Sequence, residues 1–176
     1  FEIFTRLKPS WRNELEITDA LQMMLEENNI INFEMITDYW KDTGTPEDII
    51  HANGEVLKNM ESYNNGSIEQ GSELSGSIMI GNNSIISKNS KMSGPCIVGK
   101  NCTIEGNCTI GPNVSIGDNS KLNNCNIQNS IIMENCKIDS NMKIRNSILA
   151  SNSSITLDEK NDEKVLLLGE GTVLSL

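Results

Sequence analysis

The chain has 176 residues, with 24 acids against 14 bases, a net charge of −10 and only 4% aromatic residues. So strong an acidic excess argues against nucleic acid or an anionic membrane surface as a partner, and no apolar run approaches the length of a membrane span or opens a signal peptide. One or two domains fit this length, the scarcity of aromatics favours a narrow core, and a soluble cytoplasmic protein is expected.

Taken in chain order, residues 1–15 read as an extended loop. Thr18 then has the chemistry to cap a helix whose apolar stripe runs Ile17, Leu21, Met24 and Leu25. From about Ile30 to Trp40 the apolar residues alternate and cluster as a strand would, with Trp11 and Trp40 read as packing groups. Thr45-Pro46-Glu47-Asp48 supplies an N-cap, a proline at the first helical position and early acids. The helix it opens should turn Ile49, Ile50, Ala52, Val56, Leu57 and Met60 inward. His51, the single histidine, falls on this helix as an ordinary surface or core residue. Two helices and one strand do not close a core, so this part reads as the tail of a larger domain.

A different pattern begins at Ile68. Every sixth position is aliphatic: Ile68, Leu74, Ile80, Ile86, Met92, Val98, Ile104, Ile110, Ile116 and Leu122. A period of six is neither helical nor that of a plain strand, and so marks an internal repeat. Four residues after the aliphatic comes a small side chain, as at Ser84, Ser90, Cys96, Cys102 and Cys108. Three residues after it stands an asparagine, at positions 83, 89, 101, 107, 113 and 119, then 135 and 141. Asparagine tolerates positive φ, so each hexad reads as a short strand and a corner. The pattern resembles the hexapeptide repeat of left-handed parallel β-helices, in which three hexads make one triangular coil, giving about four and a half coils here. After Leu122 the register slips and resumes at Ile132, Ile138 and Ile144, as one modified corner or a short insertion would cause. The five cysteines show no C-x2-C spacing and no histidine lies among them, so they read as buried small hydrophobes rather than metal ligands.

Two stretches of the first part carry a family resemblance. Leu7-Lys8-Pro9-Ser10-Trp11-Arg12-Asn13-Glu14-Leu15-Glu16-Ile17-Thr18-Asp19 resembles the RGELEITD segment of sugar-1-phosphate nucleotidyltransferases, closest to the glucose-1-phosphate thymidylyltransferases. Trp40-Lys41-Asp42-Thr43-Gly44-Thr45-Pro46-Glu47 resembles their W-x-DTGTPE segment. The long form of that family adds a left-handed β-helix, and residues 164–174 resemble the strand pair that ends it. The implied fold is mainly β: a nucleotidyltransferase α/β tail over residues 1–61, then a left-handed parallel β-helix over 62–176.

The resemblance implies a reaction in which a sugar-1-phosphate attacks the α-phosphate of a nucleoside triphosphate and releases pyrophosphate. Arg12 would hold the sugar phosphate, Glu14 and Glu16 would line or brace the sugar site, and Asp42 would be one of two carboxylates on Mg2+. Asn13 stands where the family has glycine. The family's triphosphate-binding G-x-G-T-R-L loop and its other metal carboxylate are not in this sequence, which reads as a truncated or carboxyl-terminal portion that is itself inactive. The β-helix would serve stability and homo-oligomerisation, for instance as a trimer, with residues after Val165 covering one end. Two alternatives remain: an acyltransferase β-helix, as in bifunctional uridylyltransferase/acetyltransferases, and an ice-binding or purely structural solenoid. The first wants a histidine near the coils, and none follows His51; the second wants a threonine ladder, and the coils offer Thr103 and Thr109.

Overall fold

The structure is a computed structural model and describes residues 2–156. It divides into two compact units, Phe1–Trp40 and Lys41–Leu176.

In the first unit, helix α1 (Glu2–Arg6) packs on helix α2 (Ile17–Glu26). The short α1 replaces the loop expected at the start of the chain; Thr5 Oγ1 donates to the Glu2 carbonyl at 2.7 Å, and Arg6 pairs with Glu27. Thr18 is not a cap. Glu16 holds the N-cap position of α2 without a side-chain bond, which puts Thr18 inside the first turn. The helix buries Ala20 and half-buries Met23 and Met24, while Ile17, Leu21 and Leu25 stay exposed. It stops at Asn28, whose φ of 59° is the left-handed conformation that ends helices. Residues 30–40 form no strand, contrary to their pattern. Extended backbone becomes a strand only where a neighbour completes its ladder, and none of the described residues of this unit is in a strand. Ile30, Phe33, Met35, Ile36, Tyr39 and Trp40 are accordingly exposed.

The second unit begins with helix α3 (Pro46–Lys58), which starts as the sequence predicts. Thr45 and Asp48 form a reciprocal capping box: the Asp48 N–H donates to Thr45 Oγ1 at 3.2 Å, and the Thr45 N–H donates to Asp48 Oδ2 at 3.2 Å. Its buried face is narrower than expected, namely Ile50, Gly54 and Leu57, with Ile49 and Val56 exposed. That spacing is the stripe of a helix lying on one surface, not one enclosed in a core.

After α3 the chain winds into a three-sided parallel β-helix. Six strands from Tyr63–Asn64 to Ile148–Leu149 stack as the first wall, six from Ser67–Ile68 to Ser154–Thr156 as the second, and five from Glu73–Ser75 to Lys143–Arg145 as the third. The count exceeds the four and a half coils expected, because winding starts before Ile68 and runs on to Thr156. Core aliphatics stack in rows, for example Ile68, Ile86, Ile104, Leu122, Ile138 and Ile155 along the second wall. Eight of the ten hexad aliphatics are buried as expected; Ile68 is 39% exposed and Leu74 is half-buried, both in the first coil, which has a neighbour on one side only.

Beyond Leu122 the register shift is a deletion and not an insertion. Leu122 to Ile127 and Ile127 to Ile132 are five residues each, and both end residues sit in the core rows. The corners explain it. In six-residue hexads the asparagine three places after the aliphatic has positive φ, as at 83, 89, 101, 113, 119 and 135. In the short ones Asn124, Asn129 and Asn146, two places after, take that conformation at 48°, 44° and 49° and turn the chain one residue sooner. Asn107 and Asn141, expected as corners, lack it, and Gly106 at 63° turns the corner beside Asn107. Along one edge the side chains make a ladder: the Nδ2 groups of Asn83, Asn101 and Asn119 donate to the Oδ1 of Asn101, Asn119 and Asn135 at 3.2, 3.1 and 3.2 Å.

The first wall differs from the others in what faces outward. Its central residues include Met79, Ile97, Ile131 and Ile148, all half-buried; α3 packs on the strand Ser130–Ile132, and Ser115 Oγ donates to Asn53 Oδ1 of α3 at 2.6 Å.

Candidate functional site

The residues of the first motif converge on one turn. The Asn13 N–H donates to the Ser10 carbonyl and the Ser10 N–H donates to the Glu14 carbonyl, both at 2.8 Å. Asn13 has φ 60°, the left-handed conformation that makes glycine the usual occupant of such a turn and asparagine its natural substitute. Arg12 is thereby carried beside its own acids. Arg12 Nη2 donates to Glu16 Oε1 at 2.8 Å, and Arg12 Nε lies 3.8 Å from Glu14 Oε2. Ser10 Oγ also donates to Glu16 Oε1, at 2.9 Å. The hydrogen bond from Arg12, then that from Ser10, holds the Glu16 carboxyl below its usual pKa. Arg12 lies 6.0 Å from the centre of the Trp11 ring, and Trp11 is 93% exposed, so neither it nor Trp40 is a packing group among the described residues. Three of the four candidate site residues, Arg12, Glu14 and Glu16, therefore form one cluster. Ser10, which ties Glu16 to the turn, has no sequence pattern that would have marked it.

Asp42 belongs to the other compact unit, on the exposed lead-in to α3. Its neighbours are braced around it. Lys41 Nζ is 2.6 Å from Asp48 Oδ1, and Thr45 Oγ1 donates to Asp48 Oδ2 at 2.8 Å. The bond from Lys41 first, and that from Thr45 next, lowers the Asp48 pKa. Asp42 takes no part in that network. Among the described residues no group of three or more His, Cys, Asp or Glu could hold a metal, so Asp42 stands as a carboxylate outside any such cluster. A lone hard oxygen donor of this kind suits Mg2+, which takes one or two protein carboxylates and fills its octahedron with phosphate oxygens and water.

His51 lies at a cleft of about 510 Å3 between α3 and the prism corners at Asn113, Asn129 and Asn146, with its Nε2 3.9 Å from Glu55 Oε1. Its place is at the surface. No described helix is long and apolar enough to cross a membrane.

Against known proteins, residues 1–59 match the nucleotidyl transferase family and residues 92–173 match the GMPPB C-terminal domain. The low-salt glycan biosynthesis nucleotidyltransferase Agl11 of Haloferax volcanii is 42% identical over 78 residues, 44% of this chain and 22% of that protein. A glucose-1-phosphate thymidylyltransferase of Streptomyces griseus is 37% identical over 79 residues, 45% of this chain and 22% of its own length. The bifunctional protein GlmU of Methanococcus aeolicus is 38% identical over 80 residues, 46% of this chain and 19% of that protein. The matched stretches thus span about a fifth of the length of these relatives.

Proposed function

We propose that the chain is part of a sugar-1-phosphate nucleotidyltransferase with a β-helix tail, and that the whole protein makes a nucleotide sugar, with dTTP and glucose-1-phosphate as its substrates and dTDP-glucose and pyrophosphate as its products. The observation that carries the reading is the nucleotidyl transferase match over residues 1–59, reinforced by thymidylyltransferase relatives.

Such a transfer is chiefly alignment and charge neutralisation. Arg12, at the tip of its turn, offers the planar donor fork that matches a sugar phosphate, while Glu14 and Glu16 orient it and face the sugar hydroxyls. Asp42 would hold Mg2+, which when bound neutralises the charge that gathers on the phosphate oxygens. Residues 1–61 act as part of the catalytic domain and residues 62–176 as the β-helix that stabilises the enzyme and joins its copies in the cytoplasm. The stretch after Val165, expected to cover one end of the prism, lies outside the described residues.

The test is pyrophosphate release by the whole protein with dTTP and glucose-1-phosphate. Asp42→Asn should lower turnover by about two orders of magnitude and raise the Mg2+ requirement, since it removes a charge from a ligand while keeping its shape. Wild-type turnover in that variant would sink the assignment of Asp42, and no pyrophosphate release by the wild type would sink the reaction.

A further inference from the structure

The small slot four or so residues after each core aliphatic stacks into a column at each edge of the prism, and the five cysteines are distributed unequally among these columns. At the edge entering the second wall the column reads Ser84, Cys102, Ser120, Cys136 and Ser153. Each cysteine there lies between serines; the Cys102 N–H donates to Ser84 Oγ at 2.9 Å and the Cys136 N–H to Ser120 Oγ at 3.1 Å. At the edge entering the first wall Cys96 stands alone, between Ile78 and Val114. At the edge entering the third wall the column reads Ser72, Ser90, Cys108 and Cys125. Here alone two cysteines are neighbours, with their sulfurs 3.4 Å apart.

The shortened corner after Leu122 creates this contact. A full hexad there would have set residue 126 over Cys108, whereas the missing residue pairs Asn126 with Thr109 and drops Cys125 onto Cys108. Neighbouring parallel strands run about 4.8 Å apart, inside the ~4.4–6.8 Å range of Cα separations that a disulfide spans. The sulfurs share one slot and need to approach by about 1.4 Å to reach the ~2.05 Å bond. Both residues are sealed in the core, at 0% and 2% exposure, so only a reagent close to water in size can reach them.

We propose that Cys108 and Cys125 are an oxidisable dithiol, a modification site that a small peroxide closes into a disulfide joining the third coil of the β-helix to the fourth. The Cys108 sulfur attacks one peroxide oxygen, the O–O bond breaks, and the departing hydroxide takes the thiol proton as water. The Cys125 sulfur then attacks the resulting sulfenic sulfur. The S–S bond forms, the S–O bond breaks, and the hydroxyl leaves as a second water with the Cys125 proton. The two thiols together lose two electrons and hydrogen peroxide gains them. The order of attack agrees with the pair's own chemistry: the hydrogen bond between them holds the Cys108 thiol below the ordinary value and pushes Cys125 up, whereas burial pushes Cys96 up to about 11 and raises Cys102 and Cys136.

The experiment treats the folded chain with hydrogen peroxide, blocks remaining thiols after denaturation, and maps the cysteines by peptide mass. Linked Cys108–Cys125 should appear first, with Cys96, Cys102 and Cys136 still free, and the thermal midpoint should rise and fall back on adding dithiothreitol. Cys125→Ser should fold, because serine already fills this slot in the earlier coils at Ser72 and Ser90, and should lose the reversible thermal shift while Cys108 stops at the sulfenic acid. Oxidation spread evenly over the five cysteines, no link in the folded wild type, or an unchanged reversible shift in Cys125→Ser would each overturn the proposal. The wild-type peptide map decides the matter independently of how the variant folds.

Discussion

Arg12 is the residue on which the catalytic reading turns, and its surroundings say how it would work. Its pairs with Glu16 and Glu14 are half in solvent, where water screens an ion pair and leaves it little net strength, so a doubly charged sugar phosphate can take over the fork. Arg12→Lys keeps the charge and loses the second bond. It should raise the apparent KM for glucose-1-phosphate about tenfold, the worth of one charge-assisted hydrogen bond, and leave that for dTTP nearly unchanged. Equal shifts in both constants would show that Arg12 does not serve the sugar phosphate. Asn13 makes a separate test of the turn itself: Asn13→Gly should leave stability nearly unchanged, whereas Asn13→Ala forces a Cβ without a compensating amide into φ 60° and should cost about 1 kcal/mol in denaturant unfolding. Asn13, standing where the family has glycine, pointed toward such a turn without settling it, since asparagine is one of the few residue types that substitute for glycine at positive φ. The role of Ser10 was not legible in the sequence, because a side-chain bond across six residues leaves no periodic trace.

At the scale of elements, a repeat and a complete capping motif were legible, and an isolated alternation was not. The start of α3 was readable because Thr45, Pro46 and Asp48 act within one turn; the strand expected over residues 30–40 failed because alternation describes a face and supplies no neighbouring ladder. The first wall carried a signal that a single hexad phase overlooks: at the outward centre it is apolar at Met79, Ile97 and Ile131, with Ser115 the polar exception, as suits a wall on which another element packs. Fixing the count at six likewise hid Ile127, which is as buried as Ile110. Two predictions belong here. Thr45→Ala removes one side of the capping box and should cost about 1 kcal/mol. Because Asp48 is held below its usual pKa, its part in the box is fully present above the unfolded carboxylate value, near pH 4, and is lost as pH falls through the lowered value. Circular dichroism of Thr45→Ala at neutral pH, and of Asp48→Asn between pH 7 and 3, checks both; the second variant should show a flatter acid limb than wild type.

For the whole molecule the open question is whether the β-helix scaffolds the enzyme or catalyses a second reaction. A stack of coils needs each rung of its core, so Ile110→Ala should cost roughly 3 kcal/mol, against well under 1 for Ile68→Ala at the half-open first coil. Among the described residues of this unit α3 packs on the first wall, and the other two walls are the ones proposed to meet further copies. Sedimentation at micromolar concentration should therefore find a homo-oligomer, and a monomer would remove that part of the proposal. Catalysis makes a different demand. Acetyl transfer on hexapeptide coils requires a general base within hydrogen-bond reach of the acceptor, which in such enzymes is a histidine. The sequence holds one histidine, His51, and it lies on α3 at the cleft facing Asn113, Asn129 and Asn146. The scaffold reading predicts no release of free thiol from acetyl-CoA with glucosamine-1-phosphate, in the wild type and in His51→Ala alike. Turnover that vanished in His51→Ala would place a second active site at that cleft, and turnover that survived would require a base other than histidine; either result would end the reading of the β-helix as a scaffold alone.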